Sequence, residues 1–236
     1  LQFIPEWNDF SLSQSSPDGY TLNKRTAPGQ AWIASNAGTR NKGLVYAGGA
    51  SGGTFTVTVA AVNITGGAPA IVIGTNGGSV YELDAATGAV RWKAQSNDRL
   101  GSGREYFYAT PTVAYGRVLI GNTDGWVYAY GANSGSLIWA KQAGTYVYTG
   151  LVAAGQVIYA GTYDGRVIAY DAATGDELWS VEAPGAVHGA MVLMDGLLYF
   201  STCSGCGQNG VRGSKRGPDG IHAVDISTHQ LVWSDP

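Results

Sequence analysis

The stretch that decides the fold is residues 161–179, GTYDGRVIAYDAATGDELW, because the chain repeats its pattern four times. Each copy contains a Gly-containing turn, an apolar strand, a polar turn and a strand that ends on Trp. Successive copies are spaced 47, 40 and 54 residues apart. A repeat of this length with several short strands is typical of propeller blades. The four copies end at Trp92, Trp139, Trp179 and Trp233.

Each repeat is predicted to form four antiparallel strands. Two short apolar strands come first, and an Asp-Gly pair then predicts a hairpin turn whose two central residues both take positive φ. The outer strand carries the Trp, which we interpret as a structural residue packed between neighbouring blades. The Asp-Gly pairs are Asp124-Gly125, Asp164-Gly165 and Asp219-Gly220.

The composition argues against a nucleic-acid partner and against a membrane-spanning helix. The chain has 236 residues, 13% of them charged, and a net charge of −3. A nucleic-acid partner requires a basic surface, and no such cluster of Lys and Arg is present. No apolar run approaches the length of about 18 residues that a membrane-spanning helix needs. We therefore predict neither nucleic-acid binding nor a membrane span.

The turn–strand–Trp pattern of residues 54–236 resembles the PQQ-like β-propeller repeat family. The resemblance implies an all-β propeller of four-stranded antiparallel blades, at about residues 54–95, 96–142, 143–182 and 183–236. The family contains non-catalytic scaffolds and also quinoprotein alcohol dehydrogenases, which use pyrroloquinoline quinone (PQQ) with Ca²⁺. The repeat therefore predicts the fold and leaves the chemistry open.

Residues 5–32, PEWNDFSLSQSSPDGYTLNKRTAPGQAW, resemble the opening of such propellers. The strand at Trp32 is then an orphan outer strand that closes a ring, and residues 1–53 form an N-terminal segment. Family members usually have seven or eight blades. Three explanations are open: the chain is part of a longer propeller, which we favour; two copies assemble into one ring; or four blades close alone.

The candidate ligand site is the mouth of the central channel. Tyr108, Tyr148 and His188 occupy equivalent positions in successive repeats, seven or eight residues before the Gly that precedes the second strand. The innermost strands of a propeller line its channel, so these side chains are expected to converge. Arg104 and Glu105 lie just upstream. Such a set can bind a planar or sugar-like ligand, or it can simply plug and order the channel.

Cys203 and Cys206 lie in an insertion of the fourth repeat. A zinc site needs two further ligands, and no second C-x₂-C or close His pair is present. Haem attachment needs His where Gly207 stands. A disulfide or a pair of free thiols remains, and we predict the disulfide, which is typical of extracytoplasmic proteins. Asn63 opens an N-glycosylation sequon, a short pattern that often arises by chance.

No catalytic residue is assigned, because the carboxylates fall mostly in turns and Glu105 alone lies near the predicted mouth. We predict an extracytoplasmic scaffold (secreted, periplasmic or at the cell surface) that uses no cofactor. Its partner is a protein or a glycan, another copy of the chain, or the rest of a longer propeller. The alternatives are an oxidoreductase dependent on PQQ and Ca²⁺, and a self-assembling structural surface subunit.

Overall fold

The computed structural model describes residues 31–34, 44–47, 58–62, 70–75, 77–85, 87–96, 106–206 and 214–235. In the first three of these ranges it describes the backbone alone. The early strands are β1 (Ala31–Ala34), β2 (Leu44–Ala47), β3 (Thr58–Val62), β4 (Ala70–Gly74), β5 (Ser79–Asp84) and β6 (Val90–Gln95). The middle strands are β7 (Thr112–Ala114), β8 (Arg117–Gly121), β9 (Trp126–Gly131), β10 (Leu137–Gln142), β11 (Val152–Ala154) and β12 (Val157–Gly161). The last strands are β13 (Arg166–Asp171), β14 (Glu177–Glu182), β15 (Ala186–Met194), β16 (Leu197–Cys203), β17 (Gly220–Asp225) and β18 (Gln230–Asp235).

The strands from β3 onward form four antiparallel sheets. Each sheet contains four strands that follow one another in the chain and pair in that order. We call them blade 1 (β3–β6), blade 2 (β7–β10), blade 3 (β11–β14) and blade 4 (β15–β18). The predicted architecture of four four-stranded antiparallel blades is thereby confirmed. No helix long and apolar enough to cross a membrane occurs in the described ranges.

Strand β1 pairs with β2 in a separate two-stranded sheet, with Trp32 opposite Tyr46. Trp32 therefore has a strand partner from the N-terminal part of the chain itself. Its side chain lies outside the described residues, and the ring-closing role of residues 1–53 stays a prediction.

The turn prediction is wrong in one detail. In the turns between β8 and β9 and between β12 and β13, Gly125 and Gly165 take φ of 83° and 80°, whereas the preceding Asp residues do not have positive φ. A side chain at Gly125 would place its Cβ 2.2 Å from the carbonyl oxygen of Gly144. Glycine is therefore required there both by the positive φ and by the lack of space for a side chain. Pairs with two positive φ values instead join the first two strands of a blade, as at Tyr115-Gly116.

The third Asp-Gly pair does not form a tight turn. Gly220 is the first residue of β17, and the Asp219 carboxylate accepts hydrogen bonds from the backbone NH and the hydroxyl of Ser204, both at 2.7 Å. The insertion separates β16 from β17, so the carboxylate anchors the base of this longer loop.

The Trp residues of blades 1 and 2 lie between neighbouring blades. Trp139 is 7% exposed, and its Nε1 donates a hydrogen bond to the Ala172 carbonyl of blade 3 at 3.2 Å. Gly175 lies against the same ring. Trp92 makes the equivalent contact with blade 2, donating to the Ala132 carbonyl at 2.9 Å. Blades 2 and 3 thus each bury the Trp of the blade before them.

Aliphatic and aromatic side chains fill the spaces between successive blades. Between blades 2 and 3 the core includes Leu119, Val127, Ile158 and Ile168, all fully buried. Trp179 is partly buried against blade 4, whereas Trp233 on the far side of blade 4 is 46% exposed. Packing between blades is therefore the main source of hydrophobic burial in the described part of the chain.

Candidate functional site

The channel-mouth residues are positioned by the blade that precedes them. Val147 donates its backbone NH to the Asn122 carbonyl at 3.1 Å, and its side chain packs onto Gly121, where an added Cβ would lie only 2.3 Å from Val147 Cγ1. Val187 repeats the arrangement against Gly161. Since successive side chains of an extended segment point to opposite sides, the next residues, Tyr148 and His188, point away from the blade interface.

Tyr108, Tyr148 and His188 come together at one cavity of about 560 Å³. Its wall is supplied by β7 and the residues before it, by the segment that leads into β11, and by β15. The other lining residues include Thr110, Thr112 and Met191. The expected convergence of these three sequence positions is therefore seen in the structure, whereas ligand binding at the cavity stays a prediction.

The aromatic rings form a stacked row. The ring centroids of Tyr108 and Tyr148 are 4.9 Å apart with an interplanar angle of 28°. Tyr148 also stacks on His188, at 5.8 Å and 29°, and on Tyr163, at 5.1 Å and 21°. Such contacts are worth about 0.5–1.5 kcal/mol each beyond their buried area. The row is thus held in place before any ligand arrives.

Tyr163 belongs to this site, although the sequence did not single it out. Its hydroxyl oxygen lies 2.7 Å from His188 Nδ1, and the Ser201 hydroxyl donates to the His188 carbonyl at 2.5 Å. Tyr163 stands two residues after Gly161, the last residue of β12 and thus at the same end of the blade as Tyr148. Its place just after β12 was the feature of the sequence that could have identified Tyr163. The sequence pattern, however, assigns Tyr163 to the turn that follows this strand.

The described titratable side chains of the aromatic row are uncharged near neutral pH. Burial raises the pKa of Tyr148 far above its ordinary value and raises that of Tyr163 to about 12, with a further contribution from Tyr146. Burial lowers the pKa of His188. The hydroxyls therefore stay protonated and the imidazole stays neutral, which suits hydrogen bonding and stacking.

Two carboxylates at this end of the blades, those of Asp124 and Asp164, accept hydrogen bonds from neighbouring protein groups. Asp124 accepts hydrogen bonds from the Trp126 backbone NH, at 2.9 Å, and from the Tyr128 hydroxyl. Asp164 accepts from the backbone NH of Thr145 at 3.0 Å. These contacts tie the turns together and direct the carboxylate oxygens to protein donors.

The described residues do not fit a PQQ–Ca²⁺ site. The cavity lining presents hydroxyl, imidazole and thioether groups and no carboxylate, and Ca²⁺ requires several oxygen ligands with carboxylates among them. Within the described ranges, no group of three or more His, Cys, Asp or Glu side chains is placed to hold a metal ion. Arg104, Glu105 and the sequon residue Asn63 lie outside the described residues.

The predicted disulfide is present. Cys203 and Cys206 are joined, with their Cα atoms 5.3 Å apart. The bond pins the start of the blade 4 insertion, and the Ser204 contacts to Asp219 hold the same loop from its other side. Neither cysteine is available as a free thiol or a metal ligand.

Two other histidines occupy structural positions. His222 is fully buried, with Nε2 2.8 Å from Thr202 Oγ1 and Nδ1 2.7 Å from Ser234 Oγ. His229 is exposed in the last turn, at a φ of 58°. Neither lines the channel cavity.

Four-stranded antiparallel blades that pack face to face define a β-propeller. Residues 123–236, just under half of the chain, match the family described as outer membrane protein assembly factor BamB. Residues 1–62 match a different family, described as the PcRGLX-like protein central beta sandwich domain. The match supports the resemblance to PQQ-like β-propeller repeats that the sequence predicted.

Solved structures show the same fold at low identity. BamB from Moraxella catarrhalis is 20% identical with a TM-score of 0.61, and the match covers 94% of this chain and 62% of that protein. Quinohemoprotein alcohol dehydrogenase from Comamonas testosteroni is 18% identical with a TM-score of 0.60, over 76% of this chain and 34% of that enzyme. The chain thus spans under two thirds of the length of either protein.

A short segment has a more similar relative. The uncharacterized protein YetA of Bacillus subtilis (strain 168) is 49% identical over 47 residues, which make up 20% of this chain and 6% of that protein. A match of this extent shows similarity between one segment of each protein and does not extend to the two whole proteins.

Proposed function

We propose that this chain is a non-catalytic binding propeller that works outside the cytoplasm and contacts a protein partner through its channel mouth. The observation that carries this proposal is the preorganised row of Tyr108, Tyr148 and His188, supported from behind by Tyr163. Tyrosine is enriched at protein interfaces because one ring supplies both apolar contact area and a hydroxyl.

The electrostatics of the mouth favour binding over redox chemistry. The described lining groups are neutral near pH 7, and the neighbouring Asp124 and Asp164 carboxylates accept hydrogen bonds from protein backbone NH groups. A rigid, uncharged, aromatic surface can accept the side chain of a partner at little entropic cost. The enzyme alternative would need acidic groups that the described lining does not supply.

Two observations support a location outside the cytoplasm. The Cys203–Cys206 disulfide is of a kind that persists in oxidising compartments. The family matched by residues 123–236 is described as an assembly factor of outer membrane proteins. A protein partner for this chain is consistent with that description.

The partner is tested by placing a photo-crosslinking benzoylphenylalanine at position 148 and irradiating the protein in the envelope fraction of the cells that produce it. We expect a discrete adduct that a protease degrades. The matched control carries the same group at Tyr115, in the turn between β7 and β8 at the opposite end of the blade. A protease-resistant, glycosidase-sensitive adduct would show a glycan partner, and equal adducts at both positions would reject binding at the mouth.

The enzyme alternative is tested separately by melting curves with Ca²⁺ and PQQ, combined with dye reduction on simple alcohols. We expect neither a shift in melting temperature nor turnover. A quinone-dependent rise in melting temperature together with dye reduction would replace the scaffold proposal with a quinoprotein oxidoreductase.

A further inference from the structure

The insertion between β16 and β17 reaches across to the turn of blade 3 that carries Tyr163. The backbone NH of Lys215 donates a hydrogen bond to the Tyr163 carbonyl at 2.7 Å. The methylene chain of Lys215 lies over Gly165, where an added Cβ would be 2.3 Å from Lys215 Cδ. Its ammonium group pairs with the Glu182 carboxylate of the outer strand β14 at 2.6 Å. One residue of the insertion thus contacts blade 3 through its backbone, its aliphatic chain and its charge.

The insertion is itself held on both sides of Lys215. The disulfide closes a small loop at its start, and the Ser214 hydroxyl donates a hydrogen bond to the Cys206 carbonyl of that loop at 3.1 Å. On the other side, the Pro218 carbonyl accepts a hydrogen bond from the Thr202 hydroxyl at 2.7 Å. Lys215 is therefore presented to blade 3 by a segment that is anchored to blade 4.

Gly217 brings the insertion close to the segment that leads into β15. An added Cβ at Gly217 would lie 2.1 Å from the Pro184 carbonyl oxygen. Ala186 follows in this segment and is fully buried, whereas the segments that lead into β7 and β11 have Tyr106 and Tyr146 at that position. The insertion therefore packs beside a lead-in segment that lacks the aromatic residue of the preceding two.

Tyr163 passes these contacts on to the channel mouth. Its backbone NH donates to the Tyr146 carbonyl at 3.0 Å, and its carbonyl accepts from Lys215, so the backbone is held from two directions. The Tyr163 hydroxyl lies 2.7 Å from His188 Nδ1, and the two ring centroids are 5.7 Å apart. A shift of the Tyr163 backbone would therefore move the group that meets His188.

We propose that Lys215 is a positioning residue for the channel mouth. By fixing the turn at Tyr163, it holds the Tyr163 ring against His188 and keeps the aromatic row ordered for its partner. Control of partner binding rests on the proposed function, whereas the positioning of Tyr163 stands without it. The ion pair with Glu182 contributes little, because the Glu182 side chain is 75% exposed. The backbone hydrogen bond and the packing of the methylene chain supply the effect.

The first test follows the nuclear Overhauser effect (NOE) between the ring protons of Tyr163 and His188 in the full chain. We expect Lys215→Ala to weaken this NOE by at least about half, because the methylene chain no longer covers Gly165. Gly217→Ala should act in the same direction, since it displaces the insertion and leaves Lys215 in place. Lys215→Met keeps an aliphatic chain of similar length without the charge and should retain the NOE.

The matched control is Lys141→Ala. Lys141 makes contacts of the same kind, because an added Cβ at Gly175 would lie 2.9 Å from its Cγ and its Nζ pairs with Asp176 at 2.8 Å. Gly175 lies in the turn between β13 and β14, at the opposite end of blade 3 from Tyr163. We therefore expect Lys141→Ala to leave the NOE unchanged.

The second test measures the photo-crosslinking yield from position 148 in the envelope fraction. Lys215→Ala should lower the yield of the partner adduct by about threefold or more, because a loosened row must be ordered when the partner binds. Lys215→Met and Lys141→Ala should keep the yield of the parent protein.

Different results would overturn different parts of the inference. An NOE that survives both Lys215→Ala and Gly217→Ala would rule out the positioning role, and an equal loss in Lys141→Ala would reduce it to a general loosening of the blades. A weakened NOE with an unchanged adduct yield would show that the partner binds without the support of Tyr163. If the parent protein forms no adduct at position 148, the proposed function fails, and the NOE still decides whether Lys215 positions Tyr163.

Discussion

His229 lies flat against the indole ring of Trp179, with ring centroids 4.7 Å apart and an interplanar angle of 21°. Glycine occupies the corresponding turn position in the two preceding blades, where Gly135 packs on Trp92 and Gly175 on Trp139. The last turn of blade 4 therefore covers Trp179 of blade 3 with a side chain, whereas the earlier turns cover the corresponding Trp with glycine backbone. His229 takes a φ of 58° to do so.

We expect His229→Ala to lower the free energy of unfolding by about 1 kcal/mol, because alanine keeps the left-handed strain and loses the stacking contact. His229→Gly should change stability by less than about 0.5 kcal/mol, since relief of strain offsets the lost contact. Urea unfolding measures both. Equal stability of the alanine variant and the wild type would show that the stacking contributes nothing.

Gly161→Ala should be among the most damaging small substitutions in the described part of the chain. An added Cβ would lie 2.4 Å from Val187 Cγ1, and Val187 directly precedes His188. We expect a loss of about 2 kcal/mol or more, because the blade must shift to relieve the overlap. The matched control is Gly150→Ala, whose Cβ would meet its nearest neighbour at 3.9 Å.

Gly150→Ala should cost less than about 1 kcal/mol. The comparison is made by urea unfolding, together with the ¹H chemical shifts of the His188 ring, which should move in Gly161→Ala. Similar costs for the two substitutions would mean that the close approach of the blades is not what requires glycine.

The protein should lose stability as pH falls below about 6.5. His222 is buried between the Thr202 and Ser234 hydroxyls, and burial lowers its pKa. The folded protein therefore disfavours the protonated ring, whereas the unfolded chain binds a proton below its ordinary pKa of about 6.5. The free energy of unfolding falls as pH drops through that value and is independent of this group above it.

His188, whose pKa burial also lowers, acts in the same direction. Urea midpoints at pH 7.5 and 5.5 measure the effect. In His222→Gln the loss between the two pH values should be smaller than in the wild type, and smallest when His188→Gln is added. An unchanged pH dependence in the double variant would assign it to other groups.

Breaking the disulfide should have a moderate effect. Cys203 and Cys206 close a loop of only a few residues, so their bond restricts the unfolded chain by about 2 kcal/mol in the chain-entropy account. We expect Cys203→Ser with Cys206→Ser to lower the free energy of unfolding by no more than that. The effect of reductant on the wild type should match, and reductant should leave the double variant unchanged.

Much of the site could be anticipated from the repeat. Tyr108, Tyr148 and His188 recur at one position of the repeat, and a periodic fold brings equivalent positions together. Tyr163 could not be found in this way, because its contact with His188 joins the end of one blade to the first strand of the next. A repeat pattern gives equivalence between blades, but it does not say which turn residue of one blade meets which strand residue of its neighbour.

The sequence by itself determined the blades. Alternating apolar residues, turn glycines and the periodic Trp are local signals, and they led to the four-stranded sheets that the structure contains. Only the tertiary structure decided which of the residues at equivalent positions of the repeat are buried. Trp139 and Trp233 occupy the same place in the repeat, yet one is 7% exposed and the other 46%. Burial depends on the neighbouring blade rather than on the residue, because no blade can cover its own face.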